Sequence, residues 1–329
     1  MAWDVRYRKG VWLPQIDWWL DARFAVDRAF VSHAHSDHIA GHRRVTCTAA
    51  TARFLRERLP AARTSHVLAF GRPEALTAET EITLCPAGHI LGSAQCLLRH
   101  EREGSLLYTG DFKLKPGLAA EPCATPRADV LVMETTFGRP RYVFPPASEV
   151  LTAIAAFCHE AIADGRLPLL FAYSLGKSQE VLRGLAGAGL PIMLHPRTER
   201  LTRIYRECGM DFPEHRPFVP EEARGHVVIC PPQAAGSGFM ARLGPCRTAI
   251  LTGWAVEPGA RYRYRCDAAF PLSDHADYPD LLRFVERVGP RLVLTLHGFA
   301  ADFARDLRSR GVDAWALGVD NQLEFGFGP

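Results

Sequence analysis

The stretch Phe30-Val31-Ser32-His33-Ala34-His35-Ser36-Asp37-His38 decides how the rest of the chain is read. An apolar run, Phe24-Ala25-Val26 through Ala29-Phe30-Val31, reads as a buried strand that leads into it, so four potential metal ligands fall within six residues. Side chains alternate along a strand, so His33 and His35 at its end are expected to project to one side and share a metal. Asp37 and His38 follow once the chain has left the strand, where they can face a second metal. Imidazole nitrogens with a carboxylate oxygen suit zinc better than magnesium or calcium. Histidine is scarce and the H-x-H-x-D-H spacing is demanding, which argues against a surface loop that holds three histidines by accident.

The motif resembles the signature of the metallo-β-lactamase superfamily, in which a distant His and a distant Asp complete a two-metal site. The matching positions are His89, in Pro86-Ala87-Gly88-His89-Ile90-Leu91-Gly92, and Asp111, in Tyr108-Thr109-Gly110-Asp111-Phe112. Asp21, after Trp18-Trp19-Leu20, resembles the superfamily's first Asp, which orients the ligand loop.

Composition bounds the rest. A chain of 329 residues with 47% hydrophobic content implies one large or two joined domains with an ample core. No apolar run approaches the roughly 18 residues of a membrane span, and the N-terminus lacks the pattern of a signal peptide, so a cytoplasmic protein is expected. Nine scattered cysteines without a C-x-x-C pair suit reduced, mostly buried thiols. A net charge of +3 says little about nucleic acid by itself.

In chain order, short strands are expected at Trp12-Leu13-Pro14, Ile16–Leu20, Glu81–Pro86, Ala94–Arg99 and Asp129–Glu134, with a helix over Thr51–Leu59 ending at Pro60. Ser148 reads as the N-cap of a long amphipathic helix. Strands at Leu167–Ala172, Pro191–His195 and His226–Cys230 alternate with helices from Gly176 and from Thr198 to Cys208, which implies a small parallel sheet with crossovers. Leu175-Gly176-Lys177-Ser178 lacks the earlier glycine of a phosphate-binding P-loop. The expected class is therefore α/β, a metallo-β-lactamase αββα sandwich carrying an inserted α/β unit.

Two further loops, Pro271-Leu272-Ser273-Asp274-His275-Ala276-Asp277 and Thr295-Leu296-His297-Gly298-Phe299, resemble those of the β-CASP nuclease branch of the superfamily. The branch's acid before a Thr-rich turn matches Glu134; its two later histidines match His275 and His297. Phe171 to Glu180, with Gly176-Lys177-Ser178-Gln179-Glu180, matches its inserted domain. The resemblance implies a core over 1–140 and 255–329, with a β-CASP cap over 141–254 covering the metal cleft. Gly253-Trp254, the Arg261-Tyr262-Arg263-Tyr264-Arg265 run, Pro231-Pro232 and Ser237 look most like the bacterial ligase-associated, mRNA 3′-end-processing-factor-like DNA exonucleases. His297 points instead to RNA, because Artemis-like DNA nucleases usually lack a His there.

The resemblance implies two zinc ions, with manganese as a substitute: His33, His35, His89 and Asp111 for one, Asp37, His38, His297 and again Asp111 for the other. It also implies that Asp37 aims the attacking water and that His275, kept cationic by Glu134, binds the phosphate or protonates the leaving oxygen. Lys177, Ser237, Arg261 and Arg263 are candidates for substrate contact; Arg261, Arg263 and Arg265 are expected to alternate along one strand face, and Arg197, Arg200, Arg203 and Arg206 to recur on one helix. Expected partners are single-stranded or end-containing DNA, with RNA as the alternative, and a DNA ligase or repair operon product; no membrane is involved. A small-molecule hydrolase on the same core and an inactive nucleic-acid-binding paralogue are the competing readings. His42 is expected to be exposed rather than metal-bound, His66, His100, His159, His195, His215 and His226 to be exposed or structural, and Trp18-Trp19 to be core and rim.

Overall fold

The computed structural model describes residues 3–60, 62–236, 238–240 and 243–318. Two compact units divide the chain: Met1–Tyr142 with His275–Pro329, and Val143–Asp274. The inserted unit thus runs past the expected end at Trp254. The reason is pairing: strand Ala268–Phe270 lies parallel to Cys246–Leu251 and completes the inserted sheet.

The first unit holds two sheets. One, six-stranded, runs in sequence order from Arg6–Tyr7 to Thr64–Val67. The other, seven-stranded, has Val130–Glu134 between Gly104–Tyr108 and Leu292–Leu296, parallel to both. Alternation along its strands builds two cores from one sheet. Cys96, Leu98, Leu106, Tyr108, Val130 and Val132 face the first sheet's Val11, Leu13, Trp18, Leu20 and Phe30. Leu97, Leu107, Leu131 and Met133 point the other way, onto Leu281, Phe284 and Leu307 of helices Tyr278–Val288 and Ala300–Ser309. Helix Ala49–Arg58, capped by the Thr48 side chain, buries Phe54 and Leu55. The layers are those of an αββα sandwich.

The inserted unit is a six-stranded sheet whose strand pairs are all parallel. Leu170, Leu194, Ile229 and Leu251 pack with Ile154 and Phe157 of helix Ala147–Ala163 and with Val181 and Leu182 of helix Lys177–Gly184. Buried on both faces, such strands read as continuous apolar runs, which is how Leu167–Phe171 and Val227–Cys230 look in the sequence.

Three local expectations need correction. Helix Ala147–Ala163 has Pro146, not Ser148, at its N-cap, because the helix starts two residues earlier than expected and proline suits a start that needs no N–H. Arg261 and Arg263 lie in a short helix, Ala260–Arg263, and Arg265 follows with φ 52°, so the three do not alternate along a strand. Strand Arg28–Phe30 ends before His33, so loop geometry rather than strand alternation brings the histidines together. Cys47, Cys96, Cys158 and Cys230 are buried thiols, and among the described residues no disulfide joins the cysteines.

Candidate metal centre

Asp21 follows strand Trp18–Leu20 in a left-handed conformation, φ 48°, that aspartate tolerates better than most residues. Its Oδ1 accepts the Ser32 N–H at 2.7 Å. Its Oδ2 accepts the Ser32 hydroxyl at 2.5 Å, the Tyr108 hydroxyl at 2.9 Å and His38 Nδ1–H at 2.8 Å. An ionised carboxylate only accepts, so Ser32 gives its hydroxyl hydrogen to Asp21 and accepts from His33 Nδ1, 3.0 Å away. This relay sets both rings: His33 and His38 carry hydrogen on Nδ1 and turn Nε2 toward Asp111.

Around Asp111 Oδ2 lie His38 Nε2 at 3.2 Å, His33 Nε2 at 3.5 Å and His89 Nε2 at 3.9 Å. His35 Nδ1 is 3.0 Å from both His33 Nε2 and His89 Nε2. His33, His35, His89 and Asp111 each offer a ligand atom, all within 4.8 Å of one another. The same His38 Nε2 is 3.5 Å from Asp37 Oδ2, and the His297 ring lies 5.9 Å from the His38 ring.

Lone pairs turned on one another and on a carboxylate repel unless positive charge stands among them, as protons or as metal. Burial, reinforced by His38, His89 and His35, pushes His33 well below the usual imidazole range and keeps it neutral, the form a metal needs. Burial lowers His297 too. Burial also opposes charge on His38, but Asp111, Asp37 and Asp21 outweigh it and hold that ring well above its ordinary value. Asp111 is likewise buried, yet His38 holds its carboxyl well below the usual range. The nitrogen and oxygen donors, their burial and the hydrogen bonds behind them fit zinc.

Glu134 closes strand Val130–Glu134. Its Oε1 accepts the Phe112 N–H at 3.0 Å and lies 2.8 Å from His275 Nδ1, while Oε2 accepts the Thr136 N–H at 3.2 Å. The His275 ring is 4.7 Å from the His89 ring, and its side chain is 20% exposed. His297 follows strand Leu292–Leu296 with φ 61°, an unusual conformation held by the Thr135 hydroxyl, which donates to the His297 carbonyl at 2.7 Å.

Other expected site residues lie elsewhere. Lys177 is buried, its ammonium bonded to Asp274 and to the Leu272 carbonyl, so it is not placed as a free phosphate contact. Arg263 pairs with Glu257, whereas exposed Arg261 stacks over the Tyr262 ring at 4.5 Å. Ser237 lies outside the described residues. His42 is buried rather than exposed, with Nδ1 near the Val26 N–H at 3.4 Å. Trp18 is in the core and Trp19 at its rim.

The segment 262–317, which carries both His275 and His297, matches the family described as "Zn-dependent metallo-hydrolase RNA specificity domain". The chain is 63% identical over 326 residues to a probable DNA ligase of Opitutus terrae, covering 99% of this chain and 32% of the relative. It is 27% identical over 299 residues to the 5′ exonuclease Apollo of Gallus gallus, covering 85% of this chain and 61% of the relative. The chain belongs to the β-CASP branch of the metallo-β-lactamase fold. The chain spans about a third of that probable ligase and under two thirds of the exonuclease. A protein of unknown function from Enterococcus faecalis V583 shares the fold at TM-score 0.58 and 13% identity, over 90% of this chain and 79% of that one. Among the described residues no helix is long and apolar enough to cross a membrane. Sequence reading of this β-CASP chain missed Tyr108, Ser32 and Thr135, whose hydroxyls orient the site; each looks like an ordinary strand or loop residue until its partner is seen.

Proposed function

We propose that the chain is a zinc-dependent nuclease that hydrolyses phosphodiester bonds at DNA ends. One observation carries the reading: the Glu134–His275 pair, 2.8 Å apart, stands beside the His33, His35, His89 and Asp111 group and outside it, although His275 also groups with Asp111 and Glu134 and with His89 and Asp274 in arrangements that could hold a metal. A hydrolase acting on a good leaving group has little use for such a pair, whereas a phosphodiester's alkoxide leaving group needs a proton.

In this reading His33, His35, His89 and Asp111 hold one zinc, and Asp37, His38 and His297 with Asp111 hold a second. Bound zinc supplies Lewis acidity, which acidifies water at neutral pH and neutralises charge that builds on the phosphodiester. Asp37 aims the attacking water. Glu134 grips His275 through Nδ1 and leaves Nε2 to contact a phosphate oxygen or to protonate the departing one. Exposed Arg261, stacked on Tyr262, is a candidate for backbone contact with a single strand.

The probable DNA ligase among the relatives supports DNA ends as substrate and a ligase as functional partner. RNA is the second reading, favoured by the "RNA specificity" description of the matched segment. The test incubates purified protein with end-labelled single-stranded DNA and RNA, with and without chelator. Chelator-sensitive shortening of DNA from one end is expected. Cleavage of RNA alone selects the second reading, and cleavage of neither, with zinc restored, overturns both.

A further inference from the structure

The stretch Gly176-Lys177-Ser178-Gln179-Glu180 is a sequence motif for which the proposed reaction has no task. It lies wholly within the inserted unit. Gly176 has φ 88° and precedes helix Lys177–Gly184. Gln179 ties this turn down: its Oε1 accepts the Gly176 N–H at 2.7 Å, and its Nε2 donates to the Ser174 carbonyl at 3.1 Å and the Thr202 hydroxyl at 2.8 Å. The Ser178 hydroxyl donates to the Tyr173 carbonyl at 2.8 Å. The Lys177 side chain therefore starts from a rigid point.

Its Nζ donates to the Leu272 carbonyl at 2.8 Å and to Asp274 Oδ1 at 2.7 Å, with the side chain 2% exposed. A buried ammonium is costly unless charge and hydrogen bonds are both supplied, and here both are. Both acceptors belong to the segment just ahead of His275, which is neither strand nor helix. Loop backbone of that kind keeps its freedom unless side chains remove it. After His275, the Ala276 N–H is fastened to the Phe112 carbonyl at 2.8 Å, and the His275 ring itself is held by Glu134. Before it, Leu272 is buried in the inserted unit's core with its N–H on the Phe270 carbonyl at 2.8 Å, and Lys177 adds the anchor that reaches Asp274, the residue next to His275.

We propose that Lys177 is a positioning residue, whose ammonium clamps Leu272–Asp274 so that the following His275 is presented in one place. The inference rests on the reading in which His275 acts on the substrate. A displacement of about 1 Å at a reacting group costs on the order of 100-fold in rate. Losing the clamp is therefore a defect in turnover and not in affinity. A lysine that touched substrate phosphate would show the opposite.

The test uses K177M, D274N, K177M/D274N and K177R in the full chain, with two readouts. The first is kcat and KM on a single-stranded oligonucleotide; the second is the ¹⁵N-histidine spectrum, with the His275 ring signal identified by its loss in H275A. K177M should lower kcat by about 10- to 100-fold with KM nearly unchanged. D274N should reproduce much of the loss, and K177R, still a buried donor, should recover part of it. K177M leaves the Asp274 charge buried, so it is the variant most prone to misfold. K177M/D274N carries no uncompensated charge, should fold, and should stay slow with an altered His275 signal. A raised KM at unchanged kcat, restored turnover in the double variant, or an unmoved His275 signal overturns the clamp. A wild-type protein that cleaves no nucleic acid overturns the nuclease reading, while the His275 spectrum still decides the clamp.

Discussion

At the scale of single residues, His275 and His297 look alike in sequence but sit in different surroundings. His275 is tied through Nδ1 to Glu134, whereas His297 lies beside His38 with its backbone strained at φ 61°. H275A should keep its metal and lose about 10²- to 10⁴-fold in rate, the range for a lost general acid. The loss should shrink on a substrate with a good leaving group, and E134Q should mimic H275A more weakly. H297A should instead lose metal, and excess zinc should restore part of its activity. Rates and elemental analysis on the same preparations separate the two, and metal loss from H275A would make it a ligand. Asp21 gives a third contrast, because it is no proposed ligand itself but holds the proposed ligand His38, and Ser32 behind His33, by hydrogen bonds. D21N should weaken zinc affinity by about 10- to 100-fold, measured by competition with a chelator of known strength.

Among the elements, the strand ends carry the chemistry. Val130–Glu134 and Leu292–Leu296 run parallel and in register, Glu134 opposite Leu296, so Glu134 and His297 emerge side by side. The Thr135 hydroxyl and Gly298 then lock the two loops together. Gly298 has φ 55°, and a Cβ there would lie 2.4 Å from Thr136 Cα and 2.6 Å from the Thr135 carbonyl oxygen. G298A must displace one loop or the other, so it should cost well over 1 kcal/mol in stability and reduce zinc content. Gly259 is the control: its φ is 80°, but nothing lies within 4 Å of an added Cβ. G259A should cost only the left-handed penalty, about 1 kcal/mol, and leave zinc untouched. Equal melting losses and equal zinc contents would show that crowding at Gly298 does not matter.

For the whole molecule, the site joins parts of the first unit far apart in the chain, from Asp21 and the His33–His38 loop to His89, Asp111, Glu134, His275 and His297. A ligand that binds the folded chain and not the unfolded one stabilises it by mass action. Carefully prepared protein should contain close to two equivalents of zinc by elemental analysis, and chelation should lower its melting temperature. One equivalent would confine binding to the His33, His35, His89 and Asp111 group.

What the sequence determined by itself was local and periodic. Ligand spacing named the metal chemistry, apolar runs announced strands such as those at Ala94–Arg99 and Asp129–Glu134, and the alternation of strands with helices beyond Ser148 announced a small parallel inserted sheet. The resemblance supplied the distant partners that no local pattern marks. Tertiary structure alone decided the rest, because those facts depend on which backbone meets which. It ended the inserted unit at Asp274, since a strand counts as inserted only once its pairing partner is known. It buried His42, and it turned Lys177 from a candidate phosphate contact into half of an internal ion pair. A lysine after a glycine reads the same whether solvent or a carboxylate waits at its tip. Only the fold brings Asp274, far along the chain, to within 2.7 Å of that ammonium.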